Sequence, residues 1–485
     1  VNARAFPRVA SFKTPSALRA HLEREEIPLS LDDLLSPPAQ SPLAEPLALE
    51  GVRVGNRFCI LPMEGWDGEA DGRPSALTER RWRNFGRSGA KLIWGGEAVA
   101  VRHDGRANPH QLLLTPPNTT AIARLRQILV AEHRERFGSN ADADLFVGLQ
   151  LTHSGRYARP DAHDRSTPLA ATANPLLDRR APQSVHVLTD RELEGIADDY
   201  VAAARLAWDA GFAFVDVKQC HGYLGHELLG AIHRPGPYGG SLEHRMRFLA
   251  RVIDGIAAAV PRLRIGVRLS IFDTVPFRQS TDGVGIPETD TIAHAGFGVV
   301  DPARSDDDAL EAALGETRSV LRMLESRDVR WICTTAGSPY YNPHVQRPAF
   351  FPPLDGYQPP EDPLRGVARQ IRATAMLKRD FPELAFVGSA YSYLQDYLPH
   401  VAQHAVRNRL TDFVGLGRIV LSYPDLPADV LSGAPLRRES FCRTFSDCTT
   451  APRMGLVSGC YPLDPFYAAR AEAAQVRSIR VKVLS

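Results

Sequence analysis

From Phe58 onward the sequence repeats one pattern, a short run of β-branched and aromatic residues followed by residues at helical spacing. The runs are Phe58–Met63, Lys91–Val99, Asp144–Leu151, Phe212–Lys218, Arg264–Ser270, Val329–Thr334, Leu384–Ser389 and Thr411–Leu416. Between them, helices are expected near Thr78–Arg87, over Thr119–Phe137, from Thr189 to Trp208, from Ser241 to Ala259, and over Asp307–Glu325, Leu364–Arg379 and Leu394–Asn408. The clearest is the third. Thr189 and Glu192 have capping-box spacing, Leu193, Ile196, Ala197, Tyr200, Val201 and Ala204 keep one face, and Gly211 supplies the left-handed stop. Continuous apolar runs mark strands buried on both faces, as in a parallel sheet. Eight such units in succession predict an α/β fold in which the sheet closes into a (β/α)₈ barrel.

Three long irregular stretches, Thr152–Leu188, Ile271–Arg304 and Thr335–Pro363, each come directly after a strand. They belong to the C-terminal face, where barrel enzymes keep their sites. The expected division is an N-terminal extension over 1–50, a barrel over 51–424 and a C-terminal extension over 425–485. Both extensions are Pro-rich and read as irregular. The chain has 485 residues, 57 basic and 56 acidic, for a net charge of +1. That balance gives no electrostatic footprint for nucleic acid or for an anionic membrane surface. No apolar run is long enough to span a bilayer, and the N-terminal stretch lacks the apolar core of an export signal, so a cytoplasmic location is expected. In that setting the six cysteines are expected as free thiols. The expected partner is a small-molecule substrate, and a homo-oligomer is compatible with the sequence.

Polar residues gather at the strand ends. Pro62, Met63 and Glu64 end the first run, Glu97 and Ala98 the second, and Gln150 the third. Lys218, His221 and Tyr223 follow the fourth, and Arg268 lies on the fifth. Such a rim is costly unless its members are paired or bound to something. A planar cofactor with amide-like edges uses these residue types well. The seventh and eighth runs end in Gly388-Ser389-Ala390 and Gly415-Leu416-Gly417-Arg418, where small residues and an arginine favour a phosphate.

The blocks NRFCILPMEG, LIWGGEAVAV, VGLQLTHSGR, AARLAWDAGFAFVDVKQCHGYLGHELL, YGGSLEHRMRFL and IGVRLS, in this order, resemble the Old Yellow Enzyme family of NAD(P)H:flavin oxidoreductases. The resemblance runs from about Asn56 to Arg418. It implies an FMN-binding barrel with NADH or NADPH as hydride donor. Pro62 and Met63 would contact the flavin, Ala98 would lie against its ring, and Gln150 would bond its pyrimidine edge. Arg268 would balance negative charge at N1/O2, and Ser389, Ala390, Gly417 and Arg418 would hold the phosphate. His221 would polarise a substrate carbonyl while hydride passes from flavin N5 to the β-carbon of an activated alkene, and Tyr223 would protonate the α-carbon.

Two departures stand out. The first member of the family's anion-binding pair is usually His, and here it is Lys218. Either a carboxylate (Asp216, Glu64 or Glu97) neutralises Lys218, or Lys218 binds an anionic oxygen of the substrate. Glu64 is itself unusual after Met63. The segment holding Cys442, Cys448 and Cys460 is similar to the iron–sulfur region of dienoyl-CoA reductase and trimethylamine dehydrogenase relatives. A 4Fe–4S cluster needs four thiolates, and Phe445 stands near the missing one, so neither a cluster nor another metal is expected. The leading expectation is reduction of an activated C=C bond. The alternatives are a flavin dehydrogenase acting on a small amine, and a flavin-binding protein that has lost catalysis.

Overall fold

A computed structural model describes residues 6–181, 183–288, 296–301 and 306–484. Residues 1–5 of the expected N-terminal extension, and 289–295 and 302–304 of the expected loop after the fifth strand, lie outside the described residues.

Eight parallel strands form a closed ring: β1 (Phe58–Ile60), β2 (Leu92–Ile93), β3 (Phe146–Thr152), β4 (Phe214–Gln219), β5 (Arg264–Ser270), β6 (Trp331–Thr335), β7 (Ala385–Gly388) and β8 (Phe413–Leu416). Each pairs with its successor, and β8 pairs with β1 through Val414 opposite Phe58. The barrel helices are α1 (Ala76–Arg87), α2 (Thr119–Phe137), α3 (Asp190–Asp209), α4 (Leu242–Ala259), α5 (Asp306–Glu325), α6 (Pro363–Asp380) and α7 (Leu398–Arg407). The start of α3 carries the reciprocal cap expected of Thr189 and Glu192, and Gly211 follows its end with φ +85°. Ser241 caps α4 by accepting from the His244 N–H.

The second expected strand is broken in two. After β2 the chain turns through Gly95, Gly96 (φ +51°) and Glu97, then resumes as Ala98–Ala100 beside Gln150–Thr152 of β3. Apolar periodicity carries no sign of this break, which only the paired glycines mark.

Aromatic side chains fill the lower barrel. Phe146 stacks on Phe214 at 4.6 Å between ring centres and meets Trp331 at 4.9 Å, and Trp94 packs edge-on to Phe214. Gly148 makes room for this cluster, since a methyl there would lie 2.3 Å from the Phe214 ring. The hairpin Leu47–Leu49/Val52–Val54 packs against the same cluster and closes that end. The barrel is thus a filled core at its base and open only at the other mouth.

The N-terminal segment is clamped to α7, where Asp32 pairs with His404 and Arg407 and accepts from Gln403. Both terminal segments contain helix where irregular chain is expected from their proline content. Pro15–Arg24 is helical, and so are Leu426–Ser432, Asp447–Arg453 and Ala473–Leu484. Proline begins the first two or follows their first residue, a position where its missing N–H costs nothing. Among the described residues no helix is long and apolar enough to cross a membrane.

Candidate active site

A cavity of roughly 260 Å³ opens where the C-terminal ends of the strands converge. Every site residue named from the sequence lines it except Ala98. Ala98 is buried in the ladder beside Gln150, with its N–H donating to the Met63 carbonyl and its own carbonyl accepting from Gln111. Its register with Gln150 puts its side chain on the same face of the sheet as that residue, just below the cavity lining.

Strand register sets the inner polar ring. Gln150 of β3 lies opposite Asp216 of β4, and Lys218 of β4 opposite Arg268 of β5. Asp216 accepts from Gln150 Nε2 at 2.5 Å and from the Arg268 backbone N–H at 2.6 Å. Burial pushes its carboxyl up to about 6. The Gln150 amide therefore spends one donor on Asp216. Arg268 is almost wholly buried, yet its Nε has no partner and Nη1 reaches only the Pro62 carbonyl at 3.4 Å.

After β4 the chain turns sharply at His221 (φ +67°) and Gly222 (φ +78°). A left-handed histidine is strained and persists only where surroundings fix it. Here the His221 N–H donates to Ser270 Oγ and its carbonyl accepts from Ser338 Oγ. The turn delivers two side chains to the cavity. His221 Nε2 lies 3.2 Å from Thr335 Oγ1 and 3.3 Å from Gln346 Nε2. Burial first, then the charges of Arg268 and Lys218, hold its imidazole well below the ordinary value, so it is neutral near pH 7.

Tyr223 donates to Glu64 Oε2 at 2.6 Å and lies 3.2 Å from the Tyr340 hydroxyl. Glu64 also pairs with Lys218 and accepts from Trp66 Nε1 at 3.2 Å. The ammonium of Lys218 sits 3.8 Å from the centre of the Tyr223 ring. Of the carboxylates considered as counter-ions, Glu64 is the partner. Asp216 is engaged as above, and Glu97 is bound by Arg81 and the Gly65 N–H. Burial and then Glu64 push the Tyr223 phenol well above its usual range, so it stays protonated.

At the ends of β7 and β8, Ala390 is left-handed (φ +74°), and a methyl on Gly415 would lie 2.4 Å from the Gly388 carbonyl. The Ser389 hydroxyl is turned away, donating to the Thr334 carbonyl. Arg418 buries an Nη1 with no partner.

The sequence does not single out Tyr340, Gln346, Arg347, Thr449, Arg453 or Tyr467, and it marks Cys448 only as part of a cysteine cluster and not as a wall of this cavity. Tyr340 stacks on Tyr157 at 3.8 Å, joining two of the long loops. The position of those loops after β3 and β6 was the available signal. The three C-terminal cysteines are free thiols, and Phe445 stacks on Phe351 with the Arg480 guanidinium 5.2 Å from its ring centre. Among the described residues no group of His, Cys, Asp and Glu has the arrangement of a metal site.

Residues 42–295 match the family described as NADH:flavin oxidoreductase / NADH oxidase. The chain belongs to this family. An NADPH dehydrogenase of Bacillus subtilis (strain 168) is 30% identical over 220 residues, 44% of this chain and 59% of the relative. The chain thus spans about 59% of the length of the first curated NADPH dehydrogenases it matches. A probable flavin mononucleotide-dependent alkene reductase of Leishmania infantum is 28% identical over 411 residues, 82% of this chain and 92% of that one. Among solved structures, morphinone reductase superposes with TM-score 0.54 at 21% identity, covering 82% of this chain and 91% of its own. A 2-naphthoyl-CoA reductase complex gives TM-score 0.62 at 18% identity, with coverage of 88% and 57%. These two likenesses establish the shared barrel fold.

Proposed function

We propose that this oxidoreductase binds FMN in the cavity and uses NADH or NADPH to reduce a C=C bond conjugated to a carbonyl. The observation that carries this is the pair of buried guanidinium nitrogens without partners, Arg268 Nε and Arg418 Nη1, on two arginines that line the cavity. A buried cation with unspent donors is costly until an acceptor reaches it. FMN offers such acceptors at both places, the pyrimidine edge for Arg268 and the phosphate for Arg418, and Pro62 and Met63 supply backbone and apolar contact between them. Gln150 retains a carbonyl and one N–H for the ring edge.

When bound, FMN supplies the two-electron chemistry between nicotinamide and alkene. The chain supplies position and charge. Neutral His221 offers an N–H to the substrate carbonyl as negative charge grows on its oxygen. Tyr223 stands beside it and gives its phenolic proton to the α-carbon. Before the transfer the Tyr223 hydroxyl donates to the Glu64 carboxylate, which holds the ring in place, and the Lys218 ammonium, 3.8 Å from the ring centre, offsets the charge left on the phenolate. Because Glu64 already cancels the charge of Lys218, the favoured substrate is an uncharged enone, not a carboxylate. Residues 51–424 are assigned to the FMN barrel, with 1–50 and 425–485 as its extensions.

A second reading has one observation in its favour. Trp66, Tyr223, Tyr340, Tyr393 and Tyr467 give the cavity an aromatic lining beside the Glu64 carboxylate, which also suits a small amine to be oxidised. Anaerobic mixing separates the two. Bleaching of the yellow protein by NADPH and recovery on adding an enone supports alkene reduction. Bleaching by an amine alone, with no response to either nicotinamide, supports the dehydrogenase.

A further inference from the structure

Two guanidinium groups share one wall of the cavity, and among the described residues no carboxylate forms an ion pair with either. Arg347 lies in the loop after β6 and Arg418 at the end of β8. Arg418 donates to the Pro348 carbonyl at 3.4 Å, and its Nη1 is buried and unpartnered. Arg347 donates to two hydroxyls, Thr449 Oγ1 and Ser446 Oγ. Two other cations of the cavity are handled differently. Arg81 lies between Asp67 and Glu97, and Lys218 pairs with Glu64. Burial, and next the charge of Arg418, push Arg347 down to about 9, so it is still charged near pH 7.

The Cys448 thiol lies within electrostatic range of both arginines, and the Cys442 thiol within range of Arg347. Burial raises the Cys448 pKa in spite of them, so at neutral pH this thiol carries no charge. The wall therefore carries two half-buried positive charges. A phosphate monoester, with a charge of about −2 near neutral pH, matches that sum, and guanidinium forks suit its oxygens.

The second half of the argument lies behind Arg347. Thr449 and Ser446 belong to the C-terminal segment, which is sewn to the loop carrying Arg347. Thr444 Oγ1 accepts from the Phe350 N–H, Thr450 Oγ1 from the Leu354 N–H, and Ser446 Oγ donates to the Phe351 carbonyl at 2.6 Å. What pulls on Arg347 pulls on residues 442–460.

We infer that Arg347 joins Arg418 on the phosphate of FMN, with Thr449 and Ser446 as positioning residues, so that phosphate binding locks the segment 442–460 onto the barrel. This rests on the FMN reading above and adds to it a phosphate ligand from outside β7 and β8, and a coupling to the C-terminal segment.

The test uses the full chain, stripped of flavin and titrated with FMN and with riboflavin, which lacks the phosphate. Hydrogen exchange of 442–460 is followed with each ligand and with inorganic phosphate. Arg347→Met is expected to weaken FMN roughly 10- to 100-fold, the loss of one charge-assisted contact, and riboflavin by less than about 3-fold. Thr449→Val, which keeps the charge, is expected to weaken FMN by a smaller factor and leave riboflavin alone. FMN, and not riboflavin, is expected to protect 442–460. Equal loss of FMN and riboflavin in Arg347→Met, unchanged FMN affinity in that variant, or equal protection by both flavins would each overturn the inference. If the wild-type chain binds neither flavin while inorganic phosphate protects 442–460, the arginine site stands and the FMN reading falls.

Discussion

Replacing Glu64 by Gln should convert a site that ignores charge on the substrate into one that selects acids. Glu64 and Lys218 are in contact at the cavity wall, with side chains only 13% and 4% exposed. Two unit charges about 4 Å apart interact by about 4 kcal/mol at an effective dielectric constant near 20. A substrate carboxylate approaching Lys218 gains that attraction and meets a repulsion of similar size from Glu64, so the net is near zero. The amide removes the repulsion and leaves the attraction. Discounted for water at the open mouth, the surplus is on the order of 1–3 kcal/mol, or roughly 5- to 150-fold in affinity. The assay compares an α,β-unsaturated acid with its methyl ester, each titrated against the visible spectrum of the flavin-loaded protein. The acid-to-ester affinity ratio should rise by that factor in Glu64→Gln, with the ester changed less than about 3-fold. In the double variant with Lys218→Met the rise should vanish. Stranding Lys218 should also cost about 3–5 kcal/mol of stability, partly restored by saturating acid. An unchanged ratio in a folded, flavin-bound Glu64→Gln protein would refute the claim that Glu64 sets the charge preference.

Tyr223→Phe should lower turnover with an enone roughly 10²- to 10⁴-fold, the usual range for a lost general acid, while reduction by NADPH in a stopped-flow half-reaction stays near the wild-type rate. Equal slowing of both half-reactions would remove Tyr223 from the proton step. Asp273, fully buried with Tyr341 and Asn342 donating to it, is pushed up to about 6 by burial. The folded chain thus holds this proton more tightly than the unfolded chain. The contribution is complete below about pH 4 and is lost as pH rises through 6, a change of about 3 kcal/mol. Urea unfolding at pH 4.5 and 7.5 should show a smaller difference in Asp273→Asn than in wild type, and an identical difference would contradict the assignment. Phe214→Ala, which empties the aromatic plug of the lower barrel, should cost about 3–5 kcal/mol. A loss under 1 kcal/mol in denaturant unfolding would mean the plug collapses around the gap.

The barrel was legible because its signals are local. The end of α3 can be read from Thr189, Glu192 and Gly211, and β5 has the bounds its apolar run implies, because caps and buried strands write themselves into neighbouring residues. The site was legible where strand ends deliver its side chains, as with Gln150, Lys218 and Arg268, since alternation along a strand fixes which residues face inward. The second strand shows the limit. Its apolar run is continuous, but the Gly95–Gly96 turn breaks it into two strands. The counter-ion of Lys218 was hidden for a different reason. Glu64, Glu97 and Asp216 are all acidic residues at strand ends, and only the closure of β1 against β4 across the barrel mouth decides among them. Tyr340, Arg347 and Thr449 sit in irregular chain whose folding depends on contacts with distant segments, so no periodicity announces them.

The cavity has an electrostatic asymmetry that bears on how any ligand lies in it. Near β4 the ionised groups cancel, Lys218 with Glu64, and the remaining groups, His221, Tyr223 and Tyr340, are neutral hydrogen-bonding partners. Near β8 the charges do not cancel, because Arg347 and Arg418 donate to hydroxyls and a carbonyl and, among the described residues, form no ion pair with a carboxylate. A ligand with a dianionic end and a neutral, planar end has one favourable orientation in such a field, with its anion toward β8. The planar end then falls between Arg268 and the His221–Tyr223 turn. The same asymmetry makes the uncharged enone the consistent substrate, since a second anion beside Tyr223 would meet a Lys218 already paired with Glu64 and an Arg268 assigned to the flavin edge.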